Sequence, residues 1–174
     1  MTEQSSWMKE ALALIGEKIA AMLMESREDF LIPAEKVANV GIRNTLEHAL
    51  LVLTNAGYTV IPVLDEESRL RGILSIPAII RAVTGVEAFD FDKLGDITVE
   101  EVMTTEFPVL KEDFELEMVL HLLVQHAFIC ITDEDGVLQG IVTRSELLKG
   151  TNRVAHVFES MYDITKKEES PIER

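Results

Sequence analysis

Apolar residues recur along this chain first at helical and then at strand spacing, and the plan is run through twice. Across residues 7–27, Met8, Ala11, Leu12, Ile15, Ile19, Met22 and Leu23 keep the three-and-four spacing of an amphipathic helix. After Phe30-Leu31-Ile32-Pro33, the segment Lys36-Val37-Ala38-Asn39-Val40 reads as a short strand. Asn44 is placed to cap a helix with Leu46, Ala49, Leu50 and Leu53 on its buried face, and Gly57 closes it. Residues 58–64 read as a strand, Asp65-Glu66-Glu67-Ser68 as a polar turn and residues 70–74 as a second strand, so a hairpin is predicted. Ser75-Ile76-Pro77 then leads into a helix over 78–83, ended by Gly85.

The second half follows the same order. Val102-Met103 opens it, Phe107-Pro108-Val109-Leu110 is strand-like, and Asp113 can cap a helix carrying Leu116, Val119, Leu120 and Leu123. A strand over 127–132, the turn Asp133-Glu134-Asp135-Gly136 and a strand over 138–142 come next. The separation is 68 residues from Ile61 to Ile129, Asp65 to Asp133, Leu70 to Leu138 and Gly72 to Gly140, with no change of length expected across helix, hairpin and helix. A period this long marks two copies of one supersecondary unit. The organisation expected is a leading helix in 1–29, a first repeat in 30–85, a connector in 86–97 anchored by Phe89 and Phe91, a second repeat in 98–150, and a C-terminal helix (152–162) with a polar, frayed tail in 151–174.

Composition narrows what such a pair can do. At 174 residues and 47% hydrophobic content the chain can bury a proper core. A net charge of −15, from 16 basic against 31 acidic residues, opposes nucleic acid as a partner. No apolar stretch approaches a membrane span and no leader is evident, which points to the cytoplasm and away from the membrane. Cys130, between Ile129 and Ile131, reads as a small buried hydrophobe. His48, His121, His126 and His156 lack ligand spacing, so no metal site is expected. Thr143 and Glu146 have no activating histidine nearby, and glycine-rich phosphate loops are absent; no catalytic residue is assigned and the chain is not read as an enzyme.

Gly140-Ile141-Val142-Thr143-Arg144-Ser145-Glu146-Leu147 joins a buried strand, a hydroxyl, a fixed positive charge and a carboxylate where a helix starts, which is a suitable place for an anionic ligand. With its counterpart Gly72-Ile73-Leu74-Ser75 and the run Gly57-Tyr58-Thr59-Val60-Ile61-Pro62-Val63-Leu64-Asp65, it resembles a tandem pair of CBS domains (a Bateman module) over residues 32–149. That resemblance implies an α/β (α+β) fold: two β-α-β-β-α repeats packed as a pseudo-twofold pair behind an N-terminal helix. It also implies clefts between the repeats that bind adenine nucleotides and report them to a partner. Lys36 to Val40, Asn44 to Thr54, Gly57 to Asp65 and Ile97 to Met103 are most similar to the stand-alone CBS proteins of Gram-positive bacteria that bind cyclic di-AMP. For these, the resemblance implies a regulatory homodimer, with no cofactor, whose ligand-free form engages a protein such as the guanosine-alarmone synthetase/hydrolase.

The resemblance pairs Thr143, Arg144 and Glu146 of one repeat with Lys36, Val37, Ala38, Tyr58, Thr59, Ile61 and Pro62 of the other in a first cleft. In that reading Arg144 and Lys36 meet phosphate. Tyr58, Ile61 and Pro62 hold the base, and Glu146 stands where the family has an acid for ribose. A second cleft would combine Ser75 and Ala78 with residues 107–110 and 126–130, but alanine has no side-chain acceptor. Cyclic di-AMP is the expected ligand, with ATP, ADP or AMP as the alternative. A different class remains open: an interaction module independent of ligand, whose leading helix and acidic surface engage a basic partner.

Overall fold

The computed structural model describes residues 30–85 and 89–161, with side chains described as far as residue 152. The leading helix expected over 7–27, and the polar tail beyond 161, lie outside the described residues. The chain order is β1 (Leu31–Pro33), β2 (Val40–Gly41), α1 (Leu46–Ala56), β3 (Val60–Leu64), β4 (Leu70–Ser75), α2 (Ile76–Val83), β5 (Val109–Lys111), α3 (Leu116–Gln125), β6 (Phe128–Thr132), β7 (Leu138–Thr143) and α4 (Arg144–Met161). Two sheets result, β2-β3-β4 and β1-β7-β6-β5, each built on a parallel pair and an antiparallel hairpin. This is the mixed α/β (α+β) architecture of two like repeats that the sequence predicts.

The first strand exchanges partners between repeats. Leu31, Ile32 and Pro33 pair with Val142, Ile141 and Gly140 of β7, so the start of repeat one completes the sheet of repeat two. Thr104 returns the exchange by bridging Ile73 of β4. Glycine makes both crossings possible. A Cβ on Gly140 would collide with the Ile32 carbonyl and lie 2.9 Å from Leu31 Cδ1, and one on Gly72 would lie 2.9 Å from both Met103 Sδ and the Thr104 carbonyl. The hairpin turns also meet about the pseudo-twofold: Leu70 N donates to Gly136 O at 2.9 Å and Leu138 N to Ser68 O at 3.1 Å. Ser68 and Gly136, one period apart, both take positive φ, 60° and 82°.

Several local expectations are corrected. No strand spans 36–40; residues Ala34–Lys36 form a 3₁₀ turn, and parallel pairing with β3 begins only at Val40, opposite Val63. Val37 is instead buried in the seam between repeats with Cys130, Leu138 and Ile141. Thr45, not Asn44, caps α1 by accepting from His48 N; Asn44 Oδ1 accepts from Gly41 N at 2.7 Å and closes the preceding turn. Asp113 does not cap α3, whose N-cap is Glu115 without a side-chain bond. Gly85 does not end α2, which stops at Val83 with Thr84 as its cap. Phe89 and Phe91 are not anchors: they are 53% and 61% exposed, with ring centroids 6.0 Å apart, while Leu94 and Ile97 pack on the core. The separate helix read over 152–162 is the continuation of α4, which runs without a break through Gly150. That glycine serves contact, since its missing Cβ is where the Phe30 ring lies.

Each repeat has its own core, one around Leu46, Leu53, Ile61, Leu74 and Ile79, the other around Phe30, Leu116, Leu123, Ile129 and Val142. The period is also not uniform. Leu53 precedes Ile61 by eight positions, but Leu123 precedes Ile129 by only six, so buried helix positions repeat at 70 and hairpin positions at 68. The second repeat shortens its helix-to-strand turn, and this asymmetry shapes the clefts described below.

Cys130 is fully buried in the seam, and desolvation pushes its thiol up to about 12. Because the folded value is raised, any stability linked to this group is present below the unfolded thiol value near 9 and is lost as pH rises from there toward 12. In native protein at pH 8 we expect a thiol reagent to leave Cys130 unmodified, and to react stoichiometrically once denaturant is added. Rapid labelling of the folded protein would contradict the seam packing.

Candidate functional site

The wider turn of repeat one opens one side of a cleft between the repeats. Gly57 takes φ 70° and donates to the carbonyls of Leu53 and Thr54, which ends α1 without a β-carbon clash. Tyr58 N then donates to Leu53 O at 3.0 Å, and Thr59 O accepts from Ile76 N at 2.9 Å, so the turn is fixed at both ends. Tyr58 is left 44% exposed at the mouth. Val37, Ala38, Ile61 and Pro62 form apolar walls with Ile32 and Ile141. Across the cleft stand Thr143, Ser145 and Glu146 at the start of α4, and Ala127 and Phe128 from the short turn of repeat two. The cavity is about 390 Å³ and also includes Gly57, Thr59 and Val60 in its lining. A volume in that range, mostly apolar with a few convergent polar groups, suits a small organic ligand.

The polar equipment follows from how α4 begins. Thr143 Oγ1 accepts from Glu146 N at 3.2 Å, so the hydroxyl caps the helix and keeps its own proton for an outside acceptor. Ser75, one period earlier, does the same for Ala78 N at 3.2 Å. Glu146 Oε1 is 2.6 Å from Lys149 Nζ, one turn further along the helix. Among the described residues that line the cavity, Glu146 is the one charged side chain.

Eight of the ten residues singled out in the sequence line this cavity: Val37, Ala38, Tyr58, Thr59, Ile61, Pro62, Thr143 and Glu146. Lys36 is exposed and lies outside the lining. Arg144 also lies outside it, although both chain neighbours are inside. Its guanidinium is turned to the end of α3, where Nε donates to the carbonyls of Leu123 at 2.5 Å and His126 at 3.0 Å, and Nη2 donates to Val124 O at 3.1 Å. Ile32, Ile141 and Ser145 were not anticipated, and Ala127 and Phe128 were expected at the second cleft alone. The first two face each other in the β1–β7 pairing, a long-range register that spacing does not reveal.

A second, smaller cavity of about 180 Å³ is lined by Val60, Ile73, Phe107, Pro108, Gln125, His126, Ala127 and Phe128. Ser75 and Ala78, expected there, do not line it; Ala78 is buried in the core of repeat one, because α2 packs its first turn inward. Val60, Ala127 and Phe128 border both cavities and form the partition between them.

Comparison with known proteins identifies the two repeats. The CBS domain matches residues 28–85 and again residues 99–152. Cyclic di-AMP receptor B of Bacillus subtilis is 44% identical over 124 residues, covering 71% of this chain and 84% of the receptor. The CbpB protein of Listeria monocytogenes, solved in complex with c-di-AMP, is 49% identical with a TM-score of 0.70, over 76% of this chain and 98% of that one. CbpB of Streptococcus agalactiae is 27% identical with a TM-score of 0.78, over 88% of this chain and 96% of that one. Two matched repeats, strand exchange between them and a cleft along their seam together place this chain in the CBS-domain family.

Proposed function

We propose that this protein is a regulatory receptor that binds cyclic di-AMP in the 390 Å³ cleft and controls a partner protein, without catalysing a reaction. The observation that carries the choice of ligand is the charge of the lining, to which the described residues contribute Glu146 and neither lysine nor arginine. A linear triphosphate concentrates about four negative charges, which a lining whose one carboxylate is already paired with Lys149 has no cation to balance, whereas cyclic di-AMP carries one per phosphate and offers two adenines to an apolar cavity. In this reading one adenine lies against Tyr58, Ile61 and Pro62, with Ala38 and Val37 behind it. The Thr143 hydroxyl donates toward ligand oxygen, Glu146 and the Thr59 backbone lie at the sugar side, and Lys36 and Arg144 are the nearest cations in the sequence. The dinucleotide's second half extends through the open mouth, which a homodimer would cover. The likeness to receptors of cyclic di-AMP supports the same ligand. The cytoplasm as location, and a guanosine-alarmone synthetase/hydrolase as the partner, belong to the proposal as well.

Thermal-shift measurements with cyclic di-AMP, ATP, ADP, AMP and S-adenosylmethionine test it. Cyclic di-AMP alone, or by a wide margin, should raise the melting temperature, and Tyr58→Ala should weaken its binding by ~1–3 kcal/mol, the usual worth of one stacked base. A shift with ATP but not with cyclic di-AMP would reassign the ligand, and no shift with any of them would favour a ligand-independent interaction module.

A further inference from the structure

Two helical segments of this chain begin with a threonine followed three residues later by a glutamate, and the two carboxylates go opposite ways. In Thr98-Val99-Glu100-Glu101 the carboxylate folds back on its own cap, with Glu101 Oε2 accepting from Thr98 N and from Thr98 Oγ1, both at 2.7 Å. The capping box there is closed. In Thr143-Arg144-Ser145-Glu146 only the backbone half is made, by Glu146 N donating to Thr143 Oγ1 at 3.2 Å. The carboxylate instead runs forward along α4, where Oε1 accepts from Lys149 Nζ at 2.6 Å; among the described residues no donor meets Oε2. What differs in sequence is the residue three places on. Thr104 follows Glu101 beyond a 3₁₀ helix of three residues, whereas Lys149 follows Glu146 within a helix of 18. Positions three apart on a helix are neighbours, so Lys149 is placed to compete with the cap for the carboxylate.

We propose that Lys149 is a positioning residue that draws Glu146 out of the capping box and so keeps two polar groups of the cleft open to a ligand, a role that rests on the cleft being the ligand site. A carboxylate folded back as Glu101 is would take the Thr143 hydroxyl proton and spend its own acceptors inside the cap. Both groups would then be lost to the cleft. With Lys149 holding Oε1, the Thr143 hydroxyl keeps a proton to donate and Glu146 keeps Oε2 to accept, and both residues line the cavity. Lys149 is outside that lining and acts through Glu146. Its charge also offsets the carboxylate, so an anionic ligand meets a paired group and not a bare negative one. An ionised carboxylate oxygen only accepts, which suits a ligand hydroxyl and gives nothing to a ligand that lacks one. The consequence is selectivity for a sugar that carries its 2′-hydroxyl. Lys149 is 64% exposed and Glu146 25%, so the pair is a modest one and its effect falls on affinity more than on folding.

Calorimetric titration of the full-length protein with cyclic di-AMP and with its 2′-deoxy counterpart separates positioning from other roles. The wild type should bind the ribose form more tightly. Lys149→Ala should weaken that form about fivefold, the most that an exposed ion pair supplies, and leave the deoxy form nearly unchanged. Lys149→Arg should recover the selectivity, because it brings a cation to the same oxygen. In a Glu146→Gln background, Lys149→Ala should change nothing further, since the group it positions is already altered. Equal weakening of both ligands, or a loss that persists in Glu146→Gln, would make Lys149 a direct ligand contact or a helix stabiliser and overturn the proposal. Unchanged or tighter binding of cyclic di-AMP by Lys149→Ala would overturn it as well. Equal affinity of the wild type for the two sugars would overturn it while leaving the cleft as the ligand site, and no binding of either would remove both readings. Should Lys149→Ala melt well below the wild type without ligand, Lys149→Gln, which has a similar helix preference to lysine, is read in its place.

Discussion

Gly140→Ala should destabilise the protein by ~2–3 kcal/mol and cut ligand affinity, although it adds one methyl group to a strand. Adding a carbon to a β-strand glycine ordinarily helps, because glycine has more freedom to lose on folding. Here the new Cβ points at the Ile32 carbonyl and at Leu31 Cδ1, and the first of these is backbone held in the β1–β7 ladder. Relief requires β1 to move off β7, and overpacking of that kind costs about 1–3 kcal/mol even where side chains can yield. Displacing β1 also shifts Ile32 and the turn leading to Val37 and Ala38, three residues of the cleft wall. Gly72→Ala is the control. Two of the three atoms its Cβ meets belong to the flexible Met103 side chain, though the Thr104 carbonyl at 2.9 Å is the third, so the loss should be smaller and fall mainly on stability. Denaturant midpoints for both variants, with binding measured on each, check the order. Equal small losses, or none at Gly140, would refute the close crossing.

The second large effect belongs to Phe30. Phe30→Ala should cost ~3–5 kcal/mol, as for other fully buried aromatic residues. It precedes β1 in sequence, yet all its buried core companions (Leu116, Leu123, Ile129, Val142 and Leu147 among them) come from the second repeat. Loss of the ring should therefore destabilise the half of the molecule that is distant in sequence, visible as lost protection in α3, β6 and β7. The ring also lies where a Cβ on Gly150 would be. Gly150→Ala alone should destabilise, although alanine is intrinsically better than glycine inside a helix by about 1 kcal/mol. In the Phe30→Ala background the sign should reverse, since the methyl group enters a vacated cavity and the helix preference acts unopposed. Additive effects in this double-mutant cycle would rule out the contact.

Much of the fold was readable because the determinants are local. Hairpins followed from apolar runs on either side of the polar turns at Asp65 and Asp133, whose carboxylates accept from Arg69 N and Val137 N and so tighten the turns as well as marking them. The close of α1 at Gly57 needed only that residue's tolerance of positive φ. Caps were less legible. Asn44 and Thr45 are both competent, and the choice between them was made by Gly41 N, which occupies the Asn44 oxygen. Phe89 and Phe91 misled because bulk suggests burial, whereas the smaller Leu94 and Ile97 lie on the side of the connector that meets repeat one.

By itself, the sequence determined that two copies of one unit are present, where their hairpins and most of their helices fall, and which loop residues carry a hydroxyl, a carboxylate or a ring. Periodicity and turn chemistry act within a few residues, so they survive in a linear reading. Only the tertiary structure decided that β1 crosses to the other repeat, that the shortened turn at His126 and Ala127 leaves one cavity larger than the other, and that Arg144 is directed to α3 while its neighbours face the cleft. Those outcomes depend on register and on competition between acceptors brought together from distant parts of the chain. A guanidinium goes to the oxygens it meets in three dimensions, and no spacing along the chain records which they are.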